Sequence, residues 1–368
     1  MSGSFAKAFI GRKFLAACVF LFPLAAHSAT GTHLANSTLY PRLIRLRHAP
    51  RALQGTLLAK TGDKLFRSTD DGRTFTFLIS VDPAAGSKER CCSTIYELPR
   101  RIGHLKAGTL LYSGSYFSEG TPAIEIYTSS DDGAHWQFLA TPIKAGGEHH
   151  GLWEPEFTIA KDGSLVMFFS DETDPCCSQK LVQMRTSDGF HWDPRRDVVA
   201  SRSQKDRPGM AIVTRLPNHT YFMSYEICGP VAHCQVYSRT SADGLNFGHP
   251  SDFGTKAITT TGQYLAHAPA NIFDPDTHQI ILVGQVLYEA DKRVSPENGK
   301  VLFTSDSLDG SGEWHTRPAP VEIPTAYDNY CPNYSSALMP AADGLLELAS
   351  DYDAAHHCTS YFAVLPIR

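Results

Sequence analysis

The chain has 368 residues, 42% of them hydrophobic, 11% aromatic and 19% charged, with a formal net charge of -5. That balance excludes a disordered or coiled-coil chain. The lack of any dense Lys/Arg run after the first 60 residues leaves no footprint for nucleic acid.

The chain opens with Lys7, Arg12 and Lys13 ahead of an apolar run from Phe14 to Ala26, and Ala26-His27-Ser28 offers small residues for cleavage. This is the pattern of an export signal over residues 1–28, followed by a single domain over 29–368. The run is too short for the roughly 20 residues of a bilayer span, so no stable membrane insertion is expected. Leu15-Ala16-Ala17-Cys18 offers a rival lipoprotein reading, disfavoured because the apolar stretch continues past Cys18. Cleavage would remove three basic and no acidic residues, leaving a charge near -8 (30 minus 38). A secreted or periplasmic location follows, and with it an oxidising one. The eight remaining cysteines (Cys91, Cys92, Cys176, Cys177, Cys228, Cys234, Cys331 and Cys358) then read as disulfides rather than a zinc set, because the doublets lack metal-ligand gaps. Cys228–Cys234 and Cys331–Cys358 are the expected local pairs, with the doublet 91/92 stapled to 176/177. Eight cysteines allow many other pairings.

A repeat runs along the rest. Ser68-Thr69-Asp70-Asp71-Gly72-Arg73-Thr74-Phe75 returns as Ser129-Ser130-Asp131-Asp132-Gly133-Ala134-His135-Trp136. Weaker copies end in Trp192 and Phe247, and a distorted one spans Ser305 to Trp314. Asp and Gly suit a tight turn, because Asp bonds nearby backbone amides and Gly accepts positive φ; the aromatic three residues later would tuck beneath it. Short β-rich runs such as Ile124-Glu125-Ile126-Tyr127 and Leu165-Val166-Met167-Phe168-Phe169 flank the copies. With the turn glycines at 72, 133, 189, 244 and 310, a unit is about 56 residues, enough for a four-stranded propeller blade. The repeat resembles the Asp-box of sialidases and other six-bladed β-propellers, with the third and fourth copies degenerate because they lack the Asp two positions before the Gly. An all-β, six-bladed propeller is therefore expected, five blades marked by boxes and one closed by both chain ends. The box turns themselves are structural, so Asp70 and Asp131 are given no chemistry.

Three stretches outside the turns carry candidate chemistry: Gly151 to Phe157 followed by Phe169-Ser170-Asp171-Glu172, Asp206 to Met210 followed by Tyr221 to Glu226, and Asn333 to Pro340. Glu154 and Glu226 fall in consecutive units and could face one another across a funnel, the two carboxyls that glycosidic cleavage requires. The succession Trp153-Glu154-Pro155, Ser170-Asp171, Gln179 to Val182, Arg207-Pro208-Gly209-Met210 and Tyr225-Glu226, with Tyr40-Pro41-Arg42 and Tyr334-Ser335, resembles family 93 of the glycoside hydrolases. That resemblance implies a secreted, retaining, exo-acting arabinanase on an arabinan-like polysaccharide, with Glu154 as nucleophile and Glu226 as acid/base, and with Arg42, Asp171, Arg207 and Tyr334 lining the sugar pocket. Retention would set the carboxyls about 5–5.5 Å apart. No metal or cofactor is required, and a monomer acting on an oligo- or polysaccharide is expected. Glu156 stands where that pattern has an apolar residue and is the alternative to Glu154; His149-His150 reads as loop surface. Two other functions compete. An exo-sialidase would use Tyr334 as nucleophile with Glu226 as its base and would clamp a substrate carboxylate with Arg42, Arg239 and Arg293 or Arg317. A non-catalytic glycan-binding propeller would leave the acids incidental.

Overall fold

A computed structural model describes residues 30–147 and 150–366, so the expected export signal, with Cys18, and His149 lie outside the described residues. The described residues contain no helix and form six antiparallel sheets. Blade I is built from Arg42–Arg45, Leu57–Thr61, Lys64–Ser68 and Thr76–Ser80. Blade II comprises Ser87–Glu97, Leu110–Ser118, Thr121–Ser129 and Gln137–Lys144. Blade III comprises Leu152–Ile159, Leu165–Asp171, Lys180–Thr186 and Arg196–Val199. Blade IV starts with Arg207–Arg215, Tyr221–Cys228 and Gln235–Ser241 and is widened by short strands up to Val286–Tyr288. Blade V comprises Ala270–Asp274, Gln279–Val283, Val301–Ser305 and His315–Pro318.

Blade VI closes the ring. Its inner three strands, Ala337–Ala341, Gly344–Tyr352 and Cys358–Pro366, come from the C-terminal end, and its outer strand is Thr32–Asn36. Both chain ends thus share one sheet, as the sequence led us to expect. The first strand of each blade packs on the first strands of its two neighbours, so these six strands line the axis.

Alternating side chains explain the packing, since one face of each strand meets the preceding blade and the other the next. Six apolar clusters fill the six gaps between blades. Leu58, Leu65, Ile95 and Tyr112, for example, join blades I and II. Val166, Phe168, Met223 and Tyr225 join III and IV.

The repeated turns show how local chemistry fixes each outer corner. Ser68 Oγ donates to Asp70 Oδ1 (2.8 Å) and accepts from Gly72 N (2.8 Å), while Asp70 receives Thr74 N (2.9 Å) and the Thr74 hydroxyl (2.5 Å). Gly72 adopts φ +88°, which favours glycine, and a Cβ there would have to push aside the tip of Leu346 at 2.8 Å. The third and fourth copies, degenerate in sequence, keep the scheme in a turn one residue shorter. Asp188 and Asp243 stand directly before the glycine, take the hydroxyl of Thr186 or Ser241, and accept the two backbone amides after the glycine at 2.8 Å. The aromatics tuck in as expected: Trp136 Nε1 donates to Gly133 O (3.1 Å), and Trp314 is buried.

The cysteines correct one expectation. Cys228–Cys234 and Cys331–Cys358 are bonded, but the doublets are not stapled to each other: Cys91 bonds Cys92, and Cys176 bonds Cys177. Cys91 and Cys92 sit on the innermost strand of blade II, whereas Cys176 and Cys177 lie in the loop leaving the second strand of blade III, so each sulfur finds its chain neighbour and not the other doublet.

Candidate active site

Each blade brings a residue with left-handed backbone to the axis. Tyr40 (φ 59°), Cys92 (64°), Glu154 (59°), Met210 (55°), Ala268 (47°) and Ser335 (54°) occupy this place at or just before the innermost strands of blades I to VI. In blades II, III and IV it coincides with a register break: between Cys91 and Thr94, Trp153 and Glu156, and Gly209 and Ile212. Such a bulge re-aims a side chain out of the strand's regular alternation. Tyr40, Cys92, Met210, Ala268 and Tyr334 pack into one apolar cluster distinct from the six between blades.

Glu154 takes blade III's place in this ring. Its Oε2 accepts the Ser170 hydroxyl (2.7 Å) and Met210 N (3.2 Å), so the axial residue of blade IV anchors the carboxylate of blade III. The arrangement repeats one step on. Glu226, on the second strand of blade IV, accepts Ala268 N at 2.6 Å, the axial amide of blade V. Burial raises the Glu154 carboxyl to about 7, with the charge of Glu226 as the next cause; Ser170 and Met210 offset part of this. Burial also raises Glu226, opposed by His267 and by the Ala268 amide. Burial thus raises both acids, and the charge of Glu226 adds to the rise of Glu154.

His267 went unnoticed in the sequence. Its Nδ1 meets Gln285 Oε1 (2.7 Å), its Nε2 lies 3.5 Å from Asp328 Oδ1, and its ring centroid is 5.8 Å from that of Tyr334. Burial alone would lower its pKa, but Glu226 and Asp328 outweigh that and raise it. Asp328 is mostly exposed, and it and His267 act on the buried Glu226 through their charges. Cys228 and Cys234 also approach His267, but their sulfurs bond each other and present no thiolate.

The other expected residues distribute as follows. Arg42 stacks over the Tyr40 ring (4.0 Å), pairs through Nε with Glu156 Oε1 (2.5 Å) and leaves a buried Nη2 without a partner among the described residues. Glu156 also accepts the Thr94 hydroxyl (2.8 Å), so it serves as the counter-ion of Arg42, which accounts for an acid where an apolar residue was expected. Tyr334 is buried beside Tyr40, and its phenol is raised by burial and by Glu154 and Glu226. Arg207 pairs with Glu172 and reaches Gln179 Oε1 (2.6 Å) and Ser178 Oγ (3.0 Å). Asp171 is the residue the structure does not bring into this group. Only 2% of its side chain is exposed, and it is committed to Arg195 (2.6 Å) and to Thr173 N (2.8 Å) at the start of the loop over 172–179. His150 accordingly bonds a loop carbonyl, that of Glu172 (2.8 Å).

Sequence reading also missed Arg90, whose guanidinium lies 4.0 Å from the Trp153 ring and 4.4 Å from Phe117. The arginine set of the sialidase alternative is not assembled. Arg239 is spent on the carbonyls of Val198, Phe247 and His249, Arg293 pairs with Asp291 on the surface, and Arg317 belongs to the outer strand of blade V.

No family model matches the chain, and no curated protein does. Solved structures do. An α-L-arabinanase of Penicillium chrysogenum complexed with arabinobiose is 25% identical, with a TM-score of 0.73 over 92% of this chain and 99% of that one. The family 93 α-L-arabinofuranosidase of Fusarium graminearum, also with arabinobiose, is 23% identical, with a TM-score of 0.72 over 92% and 98% of the two chains. The Hadza microbial sialidase Hz136 is more distant, at 14% identity and a TM-score of 0.55 over 89% of this chain and 66% of that one. The fold is that of the propeller glycosidases.

Proposed function

We propose that the protein is an exported, retaining exo-glycosidase acting on an arabinan-like polysaccharide, with Glu154 as nucleophile and Glu226 as acid/base. The observation that carries the reading is the pair itself: two buried carboxyls on consecutive blades, each anchored by the axial amide of the blade that follows. The likeness in fold to an arabinanase and an arabinofuranosidase, each solved with arabinobiose, supports the substrate class.

In the first step Glu154 attacks the anomeric carbon and the glycosidic C–O bond breaks. The leaving oxygen takes the bond's electron pair and the proton held by Glu226, and a glycosyl ester of Glu154 forms. In the second, Glu226, now a carboxylate, removes a proton from water. The water oxygen attacks the same carbon, and Glu154 leaves as a carboxylate. The electrostatics suit this division. Glu154 is hard to ionise while Glu226 is charged; a proton on Glu226 removes that repulsion and leaves Glu154 anionic, held by Ser170 and Met210. The second cycle needs Glu226 reprotonated, and His267 with Asp328 offers the path. Arg42, Arg207 and Tyr334 supply polar and aromatic edges for sugar hydroxyls and ring faces, while Asp171, committed to Arg195, shapes the neighbouring loop.

Linear arabinan, aryl arabinofuranosides and sialyl-lactose given to the mature protein test the reading. Release of small products from arabinan with the anomeric configuration retained, and none from sialyl-lactose, is expected. Sialic acid release dependent on Tyr334, or no hydrolysis of any glycan, would overturn it.

A further inference from the structure

We propose that the Cys91–Cys92 disulfide is a saccharide-binding surface: an apolar platform beside Glu154 on which the C–H face of the sugar unit being cleaved packs. The proposal deepens the glycosidase reading and rests on it.

Position is the first argument. Cys92 occupies in blade II the left-handed axial place that Glu154 occupies in blade III. Both cysteines pack in the axial cluster with Tyr40, Met210, Ala268 and Tyr334. Met210 and Ala268 are the two residues whose amides hold the carboxyls, and Tyr334 feels both acids. The disulfide thus packs in the same axial cluster as the residues whose amides hold the pair.

Its chemistry is the second. A disulfide stabilises chiefly by closing a loop in the unfolded chain, and the effect grows with loop length. Cys331–Cys358 spans 27 positions, but Cys91–Cys92 joins chain neighbours, so almost no loop entropy is removed. Bonding the sulfurs instead deletes two thiol donors and exposes a rigid, polarisable, apolar surface. The backbone beneath is held firmly: Lys60, 1% exposed, donates to Ser93 O (2.7 Å) and Tyr40 O (3.2 Å), and Ser93 donates to Glu89 (2.6 Å). Gly114 on the adjacent strand admits Ser93 closely, since a Cβ there would meet Ser93 Cβ at 2.9 Å.

The consequence is selection. A sugar presenting carbon-bound hydrogens to the sulfurs loses no hydrogen bond. One presenting a hydroxyl there would bury it without a partner and bind more weakly. The second vicinal pair, Cys176–Cys177, belongs to the loop over 172–179, with Cys176 exposed, and contributes nothing to the axial cluster.

The test compares wild type with C91S/C92S, which keeps side-chain size but replaces the bridge with hydroxyls. Arabinobiose binding is measured by calorimetry, kcat and KM on linear arabinan by kinetics, and Tm by thermal unfolding. We expect Kd and KM to rise about tenfold, with kcat within a few-fold and Tm nearly unchanged. Should the serine pair fail to fold, C91A/C92G carries the same comparison, because glycine suits the positive φ at this position. Unchanged Kd and KM, with or without a fall in Tm, would make the bridge merely structural and overturn the proposal while leaving the glycosidase reading intact. A wild-type protein that neither binds arabinobiose nor hydrolyses arabinan would overturn that reading, and the platform with it.

Discussion

Two sets of carboxylates in this propeller have the same chemistry and opposite fates. At the outer corners Asp70 accepts the Thr74 hydroxyl, the Thr74 amide and the Ser68 hydroxyl, which pull it down to about 2. Asp188 is lowered likewise, first by His191 and then by the amides of His191 and Phe190. At the axis Glu154 and Glu226 are raised, because burial, with the charge of Glu226 added at Glu154, exceeds what one or two donors return. The corner acids are fully partnered within five residues of chain and have no reason to change protonation. The axial acids have fewer donors, and burial favours their protonated forms. Two raised carboxyls on neighbouring blades mark the candidate chemistry here, and lowered ones mark the joinery.

The largest expected effect tests that division directly. Glu154→Gln and Glu226→Gln should each lower kcat/KM on arabinan by roughly 10³-fold or more, with circular dichroism and Tm nearly unchanged. The two should part on an aryl arabinofuranoside, whose leaving group needs no protonation. Formation of the glycosyl-enzyme survives in the Glu226 variant and not in the Glu154 variant, so a pre-steady-state burst of the phenol is expected only in the former. Equal loss in both would erase the assigned roles.

Glu347 sharpens the comparison, as a buried acid with no second acid beside it. It is 1% exposed and accepts only Val321 N (3.0 Å), and burial raises it to about 8. Because the folded state then binds a proton that the unfolded chain releases near 4.5, stability is greatest below that pH. It falls by roughly 1.4 kcal/mol per unit as pH climbs toward 8. Glu347→Gln should remove this slope, raising stability at pH 8 and changing it little at pH 4, without touching activity. Denaturant melts across that window give the answer, and a slope that persists in the variant refutes the assignment.

A corner substitution should do the reverse of an axial one. Ser68→Ala leaves Gly72 N and Asp70 each short of a partner and should cost about 1–3 kcal/mol of stability while kcat and KM hold. Loss of catalysis in proportion to substrate affinity, and not to folded fraction, would mean the corners take part. The smallest effect concerns His267→Gln. Removing a cation that opposes the rise of Glu226 should let that carboxyl keep its proton to higher pH, moving the alkaline limb of the kcat/KM profile upward by a fraction of a unit to about one unit. A limb that stays put would detach His267 from Glu226.

The legibility of the sequence followed the range of the interactions. The corner turns are written within eight residues, so their period could be counted and a six-bladed ring expected. Even the copies at Asp188 and Asp243, short by one residue, kept their bonding because the scheme is local. The inner wall was legible only in part. Glu154 and Glu226 stood out through a family likeness, but the partner of Arg42 lies 114 positions away at Glu156, and the Ala268 amide that holds Glu226 lies 42 positions on. No spacing rule carries such pairs. The doublets misled for the same reason: adjacent cysteines look available to distant partners until the strand geometry keeps each pair to itself.

By itself, then, the sequence determined the repeating unit and the structural character of the turn aspartates, because each depends on residues a few positions apart, and the count of those units implied six blades with the last closed by both chain ends. Tertiary structure alone decided which acids are buried at the axis, that the charge of His267 acts on Glu226, that Asp171 is committed to Arg195, and that two adjacent cysteines bond each other within the axial cluster. Those outcomes depend on which backbone amides and side chains six separate strands carry to one point, and a left-handed residue at each inner strand is what turns them toward it.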